Sequence, residues 1–337
     1  MRSYLDFEKP VADLEAKVEE LRALANGGDT TSVGEELTKL EAKAAKALSE
    51  LYANLSPWQK TQVARHPQRP HLVDYVKGLV AEFTPLAGDR HFGEDGAILG
   101  GFGRFQGQPV CILGQEKGAN TESRLEHNFG MARPEGYRKA VRLMELADRF
   151  ELPVISLVDT AGAFPGIDAE ERGQAEAIAA CLEEMAALRV PVLSIVIGEG
   201  GSGGALAIGV CNRLLMLQYS WYSVISPESC AAILYRDSKK GEKAAEALKL
   251  TSRDAFENGI VDELIEEAPG GAHRDWESTT ANLRTAMRKH LRELREMSPE
   301  HVVQDRYDKF RKIGPITEPE SAQPEGEPAR RWPQDRS

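Results

Sequence analysis

Residues 194–209 read SIVIGEGGSGGALAIG, and four of the five positions 200–204 are glycine. The apolar run 194–197 is too short for a helix, is rich in β-branched residues and follows a proline. It therefore reads as a buried strand. Ala205, Leu206, Ala207 and Ile208 beyond the glycines read as a short buried helix. Glycines at such a junction leave the backbone uncovered, so a ligand can approach the first N–H groups of the helix directly. The chemistry this permits is the holding of negative charge by backbone donors.

Three uses compete for the stretch. A phosphate-binding Walker loop is excluded, because no Gly-Lys-Ser/Thr follows. A dinucleotide fingerprint is formally present in Gly198, Gly200 and Gly203, but it needs an acid about twenty residues on. None occurs between Gly204 and Glu228. Tight packing alone would also use glycine. The remaining use is an oxyanion hole, and a second motif favours it.

That motif is DTAGAFPG at 159–166. It ends an apolar strand at 153–158, and a helix over 169–188 then returns the chain to the glycine-bearing strand. The order strand, loop, helix, strand implies adjacent parallel strands joined by a right-handed crossover, so both loops leave the same carboxyl edge of one sheet. Amides of the first loop and of the helix start at Gly203 and Gly204 can then converge on one small volume. Each well-aimed donor is worth about 3 kcal/mol to a developing oxyanion. Charged candidates nearby are Asp159, Glu170, Glu171, Arg172 and Glu199. Glu199 can be read as a general base or as a helix cap or ion-pair member, and Arg172 as a carboxylate-positioning cation or a salt bridge to Glu170 or Glu171.

The elements that must position these loops follow from pattern. Apolar spacing predicts amphipathic helices at 10–25 and 33–55, forming a hairpin with its turn at 26–29, and Ser56-Pro57 begins a third. The proline-broken segment 66–71 reads as a joint, and its two histidines are assigned no chemistry. Helical spacing resumes over 72–79, and strands are expected at 97–101, 102–105 and 109–113. A helix is expected at 137–150, a strand and turn at 216–227, a capped helix and short strand at 251–262, and a charged helix at 275–297. The proline-bearing tail from about 313 has little to bury and reads as disordered.

The chain has 337 residues and a net charge of −11, against a general nucleic-acid or anionic-membrane binder. It shows no signal-like or membrane-length apolar run, so a cytoplasmic protein is expected. Four scattered cysteines suggest neither a disulfide framework nor a metal site.

Beyond these readings, the chain resembles the alpha subunits of bacterial acetyl-CoA carboxylase carboxyltransferase. The matching segments are LDFEKP near the start, RHPQRP (65–70), LAGDR (86–90), NFGMARPEGYRKA (128–140), DTAGAFPG (159–166) and EERGQAEAIA (170–179). VIGEGGSGGALAIGV (196–210), MLQYSWYSVISPE (216–228) and GGAHRD (270–275) complete the set. Ala161 stands where the family usually has proline, and Phe164 where it often has tyrosine.

The resemblance implies an α/β, crotonase-like fold of ββα superhelical type with an N-terminal helical extension. The extension would cover 1–80, the carboxyltransferase domain 81–298, and a short segment with the tail 299–337. It also implies transfer of a carboxyl group from N-carboxybiotin, borne on the biotin carboxyl carrier protein, to acetyl-CoA, giving malonyl-CoA for fatty acid synthesis. By similarity the amides of Ala163, Gly203 and Gly204 hold the biotin oxygen. Gly162, Gly200, Gly201, Ser202 and, more remotely, Arg172 contact substrate. No metal is expected in this chain, and ATP would serve only the partner biotin carboxylase. A carboxyltransferase beta subunit would complete an alpha2beta2 assembly. Another acyl-CoA substrate such as propionyl-CoA, or a non-catalytic scaffold for the beta subunit, are the competing functions.

Overall fold

A computed structural model describes residues 2–25 and 31–314. The expected turn at 26–29 and the tail beyond 314 lie outside the described residues. Strands β1 (Val80–Pro85), β2 (Ile98–Phe105), β3 (Gln108–Gln115), β4 (Val154–Thr160), β5 (Val192–Gly201), β6 (Arg213–Leu217), β7 (Trp221–Ser223) and β8 (Glu263–Ile265) form one sheet. Its order is β1-β2-β3-β4-β5-β6-β8, and β7 pairs with the far end of β5. The first three strands are antiparallel and the rest parallel. β4 and β5 run side by side, Val154 opposite Val192 and Val158 opposite Val196, so the loops after them leave one edge together.

Helices cover both faces. In chain order they are α1 (Lys9–Ala25), α2 (Thr31–Ala53), α3 (Pro57–Ala64), α4 (Leu72–Leu79), α5 (Thr121–Glu126), α6 (Pro134–Arg149), α7 (Ile167–Glu171) and α8 (Gln174–Ala187). Then come α9 (Ser202–Leu206), α10 (Pro227–Tyr235), α11 (Gly241–Leu248), α12 (Ser252–Glu257), α13 (Trp276–Arg295) and α14 (Pro299–Lys312). Tyr137, Leu143 and Met144 of α6 and Cys181 and Met185 of α8 pack with Val154, Val158, Val192 and Val196 on one face. Leu72 and Tyr75 of α4 and Leu283, Met287 and Leu291 of α13 pack with Ile155, Leu157, Leu193 and Ile195 on the other. The alternation along β4 and β5 is the period-2 rule of a strand with both faces covered, which is why these strands read as continuous apolar runs. No helix among the described residues is long and apolar enough to cross a membrane.

Several expected boundaries move. Residues 97–101 and 102–105 form one strand, β2, because its glycines serve close approach and not turns. A Cβ on Gly101 would lie 2.1 Å from the Thr84 carbonyl oxygen, and one on Gly100 2.6 Å from Leu143. The helix expected at 169–188 is broken into α7 and α8 at Gly173, whose φ of 82° is left-handed. The 216–227 segment divides between β6 and β7. The chain beyond 298 continues as α14, strapped to the body by buried Arg306. That guanidinium donates to the carbonyls of Ala186, Leu188 and Val190, just where α8 ends and exposes unpaired carbonyls.

Candidate active site

The two loops meet. Gly204 packs so closely under the first loop that a Cβ there would lie 2.7 Å from the Ala163 nitrogen and 2.7 Å from the Gly162 carbonyl carbon. Ser202, Gly203 and Gly204 open α9, so their N–H groups have no intrahelical acceptor. Among the described residues, no backbone acceptor pairs with the Ala163 N–H, whereas its neighbour Phe164 donates to Ala132. A cleft of about 430 Å³ lies over this junction, walled by Gly162, Ala163, Ser202, Gly203, Ile178 and Val224 among others. Among the described residues, Glu170 is the one charged side chain lining it, and no histidine or cysteine does. Ser202 sits at the strand-to-helix turn with φ 52°, and among the described residues no hydrogen bond joins its hydroxyl to Glu170 or another base that could activate it.

The first loop is stiff without a proline at 161. Thr160 Oγ1 donates to the Gly162 carbonyl (2.8 Å) and accepts from the Gly162 N–H (3.1 Å). Gln174 Nε2 donates to the Phe164 carbonyl at 2.9 Å, and the Arg133 guanidinium lies over the Phe164 ring at 4.4 Å. Gln115, ending β3, bridges the two loops. Its Oε1 accepts from the Asp159 N–H (3.1 Å) and its Nε2 donates to the Gly204 carbonyl (2.9 Å).

Behind the glycines runs a buried ionic chain. Asp159 accepts from the Lys117 ammonium (2.8 Å), the Glu199 N–H (2.9 Å) and His71 Nδ1 (3.4 Å). Lys117 also reaches Glu199 (2.7 Å), and Glu199 accepts from Arg65 (2.7 Å), which continues to Glu228. Burial alone would push the Glu199 carboxyl up, but Lys117 and Arg65 hold it below the usual carboxylate range. Asp159 is likewise held far below that range, by Lys117 and His71 against the cost of burial. Gly198 is glycine for this reason, since a Cβ there would lie 2.5 Å from Asp159 Oδ1. Arg69 completes the support: its guanidinium binds Glu267 through two 2.7 Å contacts and donates to the Ile197 carbonyl of β5 (2.9 Å).

Residues 4–314 match the family described as acetyl co-enzyme A carboxylase carboxyltransferase-like. The chain is 61% identical over 314 residues to the acetyl-coenzyme A carboxylase carboxyl transferase subunit alpha of Beijerinckia indica, spanning 93% of this chain and 99% of that one. The protein of the same name in Rhodopseudomonas palustris strain BisA53 is also 61% identical, over 93% and 98%. The chain belongs to this alpha-subunit family. It is a carboxyltransferase subunit of acetyl-CoA carboxylase, an enzyme component whose carboxylation depends on biotin and on other subunits.

Solved structures agree on architecture. A Pseudomonas malonate decarboxylase hetero-tetramer in complex with coenzyme A matches with TM-score 0.53 and 18% identity over 64% of this chain and 86% of that one. Transcarboxylase 12S matches at 0.51 and 20% over 67% and 45%. At these identities the likeness bears on fold alone, the crotonase-like α/β arrangement expected from the resemblance.

For this carboxyltransferase subunit the candidate residues separate by location. Gly162, Ala163, Ser202 and Gly203 line the cleft, with Gly204 beneath them against the 162–163 peptide. Gly200 and Gly201 do not line it. They are buried in β5, where a Cβ would meet the Tyr222 ring at 2.6 Å and the Ala161 carbonyl at 2.2 Å, so their glycines serve packing. Arg172 is absent from the cleft as well. It pairs with Glu135 (2.7 Å) and Asp168 (3.5 Å), not with Glu170 or Glu171. Glu199 is spent on Lys117 and Arg65, which removes it as a free base. Sequence reasoning missed Arg65, Gln115 and Lys117 and gave the histidines of the 66–71 joint no chemistry. Polar residues in GQEKG immediately after a wholly apolar strand were the available signal.

Proposed function

We propose that this subunit catalyses transfer of the carboxyl group of N-carboxybiotin to the methyl carbon of acetyl-CoA, forming malonyl-CoA. The supporting observation is the closure of Gly204 on the Gly162–Ala163 peptide inside a cleft with almost no charge. Carboxybiotin is a substrate here, delivered on the biotin carboxyl carrier protein; it supplies CO2, and its ureido nitrogen accepts the methyl proton. What the chain must do is hold the oxygen on which ureido charge gathers, and neutral, fixed amides suit that task. The donors are the Ala163 and Gly204 N–H groups, with Gly203 beside them. Ile178 and Val224 supply apolar wall beside this charge.

One chain then holds one of the two holes the reaction needs. The beta subunit supplies the enolate hole and most of the coenzyme A site in an alpha2beta2 assembly, and biotin carboxylase, which uses ATP, recharges the carrier. A cytoplasmic location accompanies this reading. The test is malonyl-CoA-dependent carboxylation of free biotin by this chain alone and mixed with a matching beta subunit. Activity in the mixture only is expected. Activity from the chain alone overturns the divided site.

A further inference from the structure

We infer that Gln115 is a positioning residue for the proposed oxyanion hole: its buried amide sets the distance between the two donor loops. The inference rests on the assignment of that hole to Ala163 and Gly204. The two donors come from loops that follow different strands and lie some forty residues apart in the chain. α9 cannot fix Gly204 by itself, since it is five residues long and so short a helix has almost no hydrogen-bond ladder of its own. Something outside both loops must register them.

Gln115 is placed to do so. It is wholly buried at the end of β3, next to β4 in the sheet. Its carbonyl takes the Asp159 N–H, where the first loop begins, and its amino group gives to the Gly204 carbonyl in the first turn of α9. The polarity admits one orientation, because a flipped amide would set donor against donor and acceptor against acceptor. Neither Met nor ionised Glu reproduces this: the first pairs with neither backbone group, and the second repels the Gly204 carbonyl. Lys117, two residues on, joins the carboxylates of Asp159 and Glu199, so one short segment spans both loops twice.

The experiment assays the transferase assembled with its beta subunit, carrying Gln115→Met, Gln115→Glu or Gly204→Val, in the free-biotin reaction. Gln115→Met is expected to lower kcat about 10- to 100-fold, with KM for malonyl-CoA unchanged and the assembly folded at the assay temperature. A kcat within about twofold of wild type, or a raised KM for malonyl-CoA at normal kcat, overturns the inference. Should Gln115→Met fail to fold, Gln115→Glu decides. A protonated carboxyl reproduces both bonds, so the ratio of variant to wild-type kcat must fall as pH rises through the ionisation of the introduced carboxyl. A pH-independent ratio refutes the brace. Gly204→Val separates the two claims. If it is inactive while Gln115→Met is normal, the brace fails and the hole stands; if it is active, the hole assignment itself fails.

Discussion

At the carboxyl edge of the sheet two regions lie back to back. The cleft is walled by glycine, alanine, neutral polar and apolar side chains, with Glu170 as its single charge among the described residues. The layer behind it is a run of alternating charges, Asp159, Lys117, Glu199, Arg65 and Glu228, with the His71 ring against Asp159 at one end, most of it buried. The reacting groups would meet uncharged amides, while the charges fix where those amides stand. Proximity of a carboxylate to a glycine motif is therefore a poor guide to catalysis. Glu199 directly adjoins Gly198 and Gly200 and faces the other way, into Lys117 and Arg65.

The sharpest way to break this division is Gly204→Val. Its first added carbon falls 2.7 Å from the Ala163 nitrogen and must displace the loop. Transfer should drop by about 100-fold or more while the assembly still forms, and near-normal malonyl-CoA production would sink the cleft's role. Lys117→Met should act on the other region. It leaves the buried Asp159 and Glu199 carboxylates without the cation between them, at a cost of about 3–5 kcal/mol. Urea denaturation measures this, and an unchanged midpoint would show the ionic chain to be ornamental.

A smaller effect lies where this layer meets the N-terminal segment. His66 stacks on His273 with ring centroids 3.7 Å apart, and burial, with His66 next, pushes the His273 pKa down to about 2. The folded state thus keeps His273 neutral while the unfolded chain protonates it below about pH 6.5. Stability from this site is complete above that pH and is lost as pH falls, by about 1.4 kcal/mol per unit. His273→Asn should flatten that part of the stability profile between pH 6.5 and 5; an unaltered slope would count against it. Glu199→Gln should leave kcat within about tenfold of wild type, whereas loss of a general base costs about 100- to 10,000-fold. Smallest of all, Arg172→Ala should change transferase rates by less than about twofold, since its partners are Glu135 and Asp168. A selective rise in KM for biotin would return Arg172 to the site.

The parts of the site that could be read in the chain are those whose signal is local. Glycine density, the DTAGAFPG loop and the crossover between them place both loops at one edge, because strand order and handedness follow from the succession of elements. Local signals also misled. Arg172 was matched to its chain neighbours and found Glu135, 37 residues away. The helix over 169–188 ignored Gly173, whose backbone only a glycine adopts easily. Gln115 carries no mark in the chain beyond its place at a strand end.

What the sequence by itself determined is the pair of glycine-bearing loops, the parallel strands that carry them, and the family. The loops and strands rest on backbone conformation and short-range periodicity, which each segment expresses wherever it is, and the family rests on the matching segments. The tertiary structure alone decided which glycines face the cleft and which merely pack, and that Arg65, Arg69 and His71 support β4 and β5 from 134, 128 and 88 residues away. Side-chain electrostatics reaches across a few ångströms of space whatever the separation along the chain, so its partners exist only once the sheet has formed.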